Sequence, residues 1–142
     1  MNIIKWLSIT ERYTRIYLDK KLEPLGINSS QYMYVLKVCE EPGISQTDFI
    51  NWFYVNPSNI TRAIIFLENN GYLERNVSDV DKRAWKLFPT EKAKKAYPQI
   101  KQIYNAWYTF AVADFTEDEI NLFGDFLEKI GQKLIHQASE ER

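Results

Sequence analysis

At 142 residues, with 45% hydrophobic and 26% charged residues, the chain has the size and balance of one globular domain, and no apolar run approaches the roughly 18 residues that span a bilayer. One cysteine excludes an internal disulfide, and one histidine excludes a multi-histidine metal site. The formal net charge of −1 argues against a uniformly basic nucleic-acid binder, but residues 1–55 are net zero, 56–95 carry eight basic and five acidic groups, net +3, and 96–142 carry four and eight, net −4. The middle segment alone has the local electrostatic footprint of a protein with an anionic partner.

In chain order, residues 2–22 read as a helix. Trp6, Ile9, Tyr13, Ile16 and Tyr17 recur at helical spacing, and Ile3, Ile4, Leu7 and Leu18 fall outside that stripe, so this helix needs more than one partner. The start has no signal-peptide layout, which predicts a cytoplasmic protein. Pro24 and Gly26 end the helix. Asn28 with Gln31 predicts a capping box and a helix from Ser29 to Glu41, with Tyr32, Val35, Leu36 and Cys39 inward. Cys39, on that apolar face, reads as core filler rather than a redox switch. After Pro42-Gly43, Ser45 with Asp48 predicts a second box and a short helix. Asn56 caps the next helix, with Pro57 at its first position, where no amide bond is lost. Only Phe53 to Val55 remain to turn, which is the spacing of a helix-turn-helix. The second helix spans Ser58 to about Asn70, with Ile60, Ile64 and Leu67 inward, and Gly71 stops it in the left-handed conformation. Gly71 to Arg75 and Ala84 to Phe88 predict two strands around a polar tip, Ser78-Asp-Val-Asp-Lys-Arg83, with Pro89 suiting an edge strand.

Thr90 then caps a long helix, about 91–112, with Ala96, Ile100, Ile103, Trp107 and Phe110 on one face and Tyr97, Tyr104, Tyr108 and Ala111 on another; Pro98 predicts a kink. Thr116 with Glu119 predicts the box of a final amphipathic helix. Its stripe is Ile120, Phe123, Leu127, Ile130 and Leu134. Gly124 and Gly131 lie on one side of it, and glycine inside a helix costs about 1 kcal/mol relative to alanine. They read either as a close approach of two helices across a dimer axis or as a water-facing side.

The order Asn56-x-Ser-Asn-Ile-Thr-Arg62, Leu67-Glu-x-x-Gly-Tyr-Leu-Glu-Arg75, Asp81-x-Arg83 resembles the MarR family of winged-helix transcriptional regulators. The resemblance extends from Leu25-Gly-Ile27 and Gln31 through Thr90, about half the chain. It implies a mainly α fold with a small β wing. Residues 28–90 would form the winged helix-turn-helix, and 1–23 and 91–142 dimerisation helices, within a single domain. It implies a homodimer that binds double-stranded DNA as a repressor of a pseudo-palindromic operator. DNA contacts carry over to Ser58, Asn59, Thr61 and Arg62 on the second helix and to Arg83 in the minor groove, with Asp81 shaping the wing tip. Arg75, Lys82 and Lys86 are candidates for phosphate contacts. A small aromatic or lipophilic effector is implied, with Trp6, Tyr13, Tyr17, Tyr32, Trp107 and Tyr108 as candidate pocket lining. The dimer interface would hold Ile120, Phe123, Gly124, Leu127, Ile130, Gly131 and Leu134. The sequence departs from the family at Ile50, Pro89 and Ala93, where alanine, leucine and glycine are usual.

No G-x-S-x-G, phosphate-cradling glycine loop or metal spacing is present, so neither catalysis nor a cofactor nor a metal is expected. The alternative from another class is a winged helix that docks on a protein, which the slightly acidic net charge favours.

Overall fold

The computed structural model of the chain describes residues 1–77 and 85–141. Two compact units make up the chain, Met1–Asn105 and Ala106–Arg142. In the first, α1 (Ile3–Leu22) opens at Asn2, whose side chain accepts the Lys5 N–H at 3.0 Å. It buries only Leu18 and Leu22 and leaves Ile3, Ile4, Trp6, Tyr13 and Ile16 exposed. A 3-10 turn, Glu23–Leu25, and Gly26 at φ 72° lead out of it.

The second helix, α2 (Tyr32–Glu40), starts three residues later than Asn28 and Gln31 suggested. The two side chains do bond as expected, Gln31 Oε1 to the Asn28 N–H at 3.0 Å and Asn28 Oδ1 to the Ser30 N–H at 2.8 Å. Those bonds close a separate turn, and the regular helix follows it. Its inward face also differs. Tyr34, Val35, Leu36, Lys37 and Val38 are buried, whereas Tyr32 and Cys39 are half-buried. The helix packs on both β3 and α4, and two partners cover a wider band than one amphipathic stripe.

A short strand β1 (Ile44–Ser45) precedes α3 (Asp48–Phe53) and α4 (Pro57–Asn69), and β2 (Leu73–Val77) and β3 (Trp85–Pro89) complete an antiparallel sheet in the order β1-β3-β2. The return strand is therefore central, which corrects the edge placement drawn from Pro89. Leu87 O accepts from Gly43 N at 2.7 Å and Trp85 O from Gln46 N at 3.0 Å, so these residues of β3 face β1. Pro89 faces the same side but lies past the end of β1, where a missing N–H costs no ladder bond. Thr90 caps α5 (Glu91–Ala111) by accepting the Ala93 N–H at 3.2 Å. The helix is continuous through Pro98. The core joins Leu22, Val35, Phe49, Ile64, Leu87 and Ile100.

In the second unit, Thr116 and Glu119 form the reciprocal box that starts α6 (Glu117–Glu140): Thr116 N–H donates to Glu119 Oε1 at 2.9 Å and Glu119 N–H to Thr116 Oγ1 at 3.2 Å. No residue of α6 is buried, and Leu122, Phe123, Phe126, Leu127, Ile130 and Leu134 are exposed. The fold is thus mainly helical with a small antiparallel wing sheet.

Candidate nucleic-acid interface

The helix-turn-helix is held from below by aromatic packing. Phe49 is fully buried, its ring 4.8 Å from Tyr34 and 5.5 Å from Phe53, and Phe53 lies 5.0 Å from Tyr34. The box expected at Ser45 is only half present. Asp48 accepts the Ser45 N–H at 3.1 Å, but Ser45 Oγ accepts from Thr47 N instead of Asp48 N, because Ser45 belongs to β1. Tyr54 closes the turn at φ 53°, a left-handed conformation rare for a bulky side chain. Behind α3, the buried Lys37 places its ammonium 2.7 Å from Glu41 Oε1 and 3.6 Å from the centre of the Trp52 ring. Lys37 is thus paired and covered as a buried charge must be.

Asn56 starts α4 by accepting from both Ser58 N and Ser58 Oγ at 3.0 Å, with Pro57 at the first helical position. Ile60, Ala63, Ile64 and Leu67 are buried, and Ser58, Asn59, Thr61 and Arg62 are exposed. These four candidates therefore share the exposed side of the N-terminal half of α4. Arg62 Nη2 donates to Asn59 Oδ1 at 2.8 Å, and no carboxylate partners it among the described residues. Thr61 Oγ1 donates to Pro57 O and accepts from Gln46 Nε2, each at 3.1 Å.

The wing root is tied to α4 at several points. Gly71, at φ 78°, ends the helix: its N–H bonds Glu68 O at 3.1 Å while Tyr72 N–H bonds Leu67 O at 2.8 Å, the paired C-cap. Thr90 Oγ1 donates to Gly71 O at 2.6 Å, Lys92 Nζ to Asn70 O at 2.8 Å, and the Tyr72 hydroxyl to Leu25 O. The Arg75 guanidinium makes two bonds of 3.1 Å to Glu68 and stacks 4.6 Å from the Trp85 ring. Arg75, a candidate for a phosphate contact, is thus paired with Glu68, and the pair braces the wing on α4. Lys86, half-buried in β3, stands opposite Ser45 and Asn76. Asp81, Lys82 and Arg83 lie outside the described residues. Gln46 and Lys92 went unmarked in the sequence, since their roles depend on partners from distant elements.

The aromatic candidates for an effector pocket belong to both units. Tyr17 and Tyr32 pack against the core, Trp6 and Tyr13 are exposed on α1, and Trp107 and Tyr108 belong to the second unit with rings 5.2 Å apart. A cavity of about 790 Å³ lies beside α4, walled by Met33, Tyr34, Phe53 and Phe66 with Asn59 and Arg62 at its rim, and none of those six aromatics lines it. Burial and the neighbouring Glu40 push the Cys39 thiol up, against a smaller opposing effect of Lys94. Ile120 is half-buried, while Phe123, Leu127, Ile130 and Leu134 are exposed; open space surrounds the position a Cβ would take at Gly124 and at Gly131.

Comparison with known proteins gives a consistent picture. The model of the MarR family matches residues 27–85. A crystal structure of a MarR transcriptional regulator from Methanosarcina mazei Go1 is 32% identical, covering 93% of this chain and 97% of that one, with a TM-score of 0.83. A MarR family regulator from Listeria monocytogenes, solved in complex with a 26mer DNA, is 27% identical over 96% of this chain and 91% of that one, with a TM-score of 0.89. Among curated proteins, the HTH-type transcriptional regulator YybA of Bacillus subtilis (strain 168) is 29% identical over 133 residues, covering 94% of this chain and 89% of that protein.

Proposed function

Because the chain belongs to the MarR family of transcriptional regulators, we propose that it is a cytoplasmic, homodimeric repressor of a pseudo-palindromic operator. One observation carries this reading. The buried face of α4 leaves Ser58, Asn59, Thr61 and Arg62 together on the exposed side of its first turns. A helix presented in this way enters a major groove with its N-terminal residues at base edges. Lys86 and Lys82 would add phosphate contacts and Arg83, held by Asp81, a minor-groove contact. Arg75 supports the wing instead of touching DNA.

Two recognition helices must stand about one turn, ~34 Å, apart to read two half-sites. The apolar residues left exposed on α1 and α6 support pairing of two copies, with Ile120, Phe123, Leu127, Ile130 and Leu134 at the interface and Gly124 and Gly131 allowing close approach. A small aromatic or lipophilic effector would make the operator-competent state rarer. The cavity beside α4 supports a site for it, since an occupant there would meet Arg62.

The test is binding of labelled DNA from the gene's own upstream region across a salt series. Three or four phosphate contacts per half-site predict a log–log slope of about −5 to −7. Arg62→Ala is expected to cost about 1–3 kcal/mol per base contact and to relax preference within the half-site. Absence of specific, salt-sensitive binding would favour the alternative, a winged helix that docks on a protein.

A further inference from the structure

Gln46 stands between the wing and the recognition helix. Its backbone N–H donates to Trp85 O at 3.0 Å, and its side-chain Nε2 donates to Thr61 Oγ1 at 3.1 Å. Its Oε1 is buried and has no partner among the described residues. A buried acceptor without a bond is costly, so the side chain is held where it is by its other bonds. Thr61 in turn donates its hydroxyl proton to Pro57 O at 3.1 Å. A hydroxyl has one proton to give, and that of Thr61 is spent. Turning the Gln46 amide over reverses the bond, with Thr61 then donating to Oε1 and an amino group taking the buried position. In either orientation the proton stays inside the protein.

We propose that Gln46 is a positioning residue that locks Thr61 so that it reads a thymine methyl and never donates to a base. With Oγ1 tethered, rotation about the Cα–Cβ bond is fixed, and the methyl is the group of this exposed side chain left without a bonding role. Guanine O6 and N7, adenine N7 and thymine O4 all need a donor, which Thr61 lacks; adenine N6 and cytosine N4 would need the one lone pair that Oγ1 keeps beside its bond from Gln46, whereas the thymine C5-methyl needs only an apolar surface. The inference rests on α4 entering the major groove, as proposed above, and adds which base is preferred at one position and why.

The experiment selects binding sites from a random duplex pool with the parent protein, then replaces each thymine of the selected site by uracil in turn. One position per half-site is expected to lose about fourfold in affinity, the worth of one buried methyl-sized group. Thr61→Ser should abolish that thymine-over-uracil ratio, and Thr61→Val, which keeps the methyl and drops the hydroxyl, should retain it. Gln46→Ala should shrink the ratio with little change in melting temperature. Gln46→Glu has no amide donor for Thr61 Oγ1, whose proton is engaged by Pro57 O, so it should shrink the ratio as Gln46→Ala does, and an unchanged ratio in both variants would overturn the positioning role of Gln46. Loss of the ratio in Thr61→Val, its persistence in Thr61→Ser, or selected sites with no uracil-sensitive position would overturn the inference while leaving DNA binding intact. A pool that yields no preferred sequence would overturn it together with the reading on which it rests.

Discussion

At Arg75 a charge that looks available in the sequence is already engaged. Glu68, seven residues upstream on another element, takes both of its bonds, and Trp85 takes its face. Lysine offers neither the fork nor the flat stacking surface. Arg75→Lys is therefore expected to destabilise the protein by about 1–2 kcal/mol, read as a lower midpoint in urea unfolding. Cys39 differs in that its local sequence was informative. Its apolar face, with Lys37 as the one cation nearby in sequence, predicts core filler; the residue is half-buried, and burial with Glu40 nearby pushes its thiol up against a smaller effect of Lys94. Peroxide treatment should leave DNA affinity unchanged, and Cys39→Ser should behave as the parent does. Loss of binding on oxidation, reversed by thiol and absent in Cys39→Ser, would make the residue a sensor instead. The contrast is physical: a cysteine's surroundings on its own helix can be read from spacing, whereas an ion pair across two elements depends on how those elements cross.

Caps and turns divide in the same way. Asn56, Gly71, Thr90 and Thr116 act within a few residues of themselves, and each does what its neighbours predicted. Tyr54 could not be foreseen, because intrinsic preference argues against tyrosine at φ 53°, where it caps α3 with its N–H bonded to Ile50 O. Two substitutions should therefore shift stability in opposite directions. Gly71→Ala places a Cβ at φ 78° and should cost about 1–2 kcal/mol, while Tyr54→Asn, better suited to that conformation, should gain up to about 1 kcal/mol, both measured by thermal unfolding. At the start of α6, the Thr116 N–H and then its hydroxyl hold the Glu119 carboxyl below its usual range. A depressed carboxyl stabilises above its unfolded pKa, and the effect fades as pH falls through the lower folded value. The first turn of α6 should accordingly fray as pH falls below the ordinary glutamate range, seen as loss of protection of the Thr116 and Glu119 amides that the box bonds, and Glu119→Gln should remove that acid dependence. The two-residue β1 was too short to leave a pattern, and its pairing made β3 central.

At the scale of the whole molecule, α1 and α6 each leave large apolar residues exposed, which the proposed pairing of two copies would cover. Sedimentation at micromolar concentration should report about twice the chain mass, and Leu127→Glu or Ile130→Lys should dissociate or unfold the protein. A stable, folded monomer of the parent would remove these helices from the interface. The order of motifs made the winged architecture legible, while the partner of each exposed face was not, because one sequence does not say which apolar surfaces are covered by another copy. The bond from Gln46 N–H to Trp85 O has a consequence for how such proteins diversify. It brings together the two ends of residues 46–85, a segment that holds α3, α4 and β2 and comes back to the sheet beside its starting point. A segment with touching ends can be exchanged as a unit. Recombination at those two ends would carry Thr61, Arg62 and the wing together into a related chain, provided that the pockets for Ile60, Ile64 and Leu67 match. Crossovers between 68 and 85 would separate Arg75 from Glu68 or Trp85. If the proposed contacts hold, operator preference would then travel as a cassette, separable from the helices outside it.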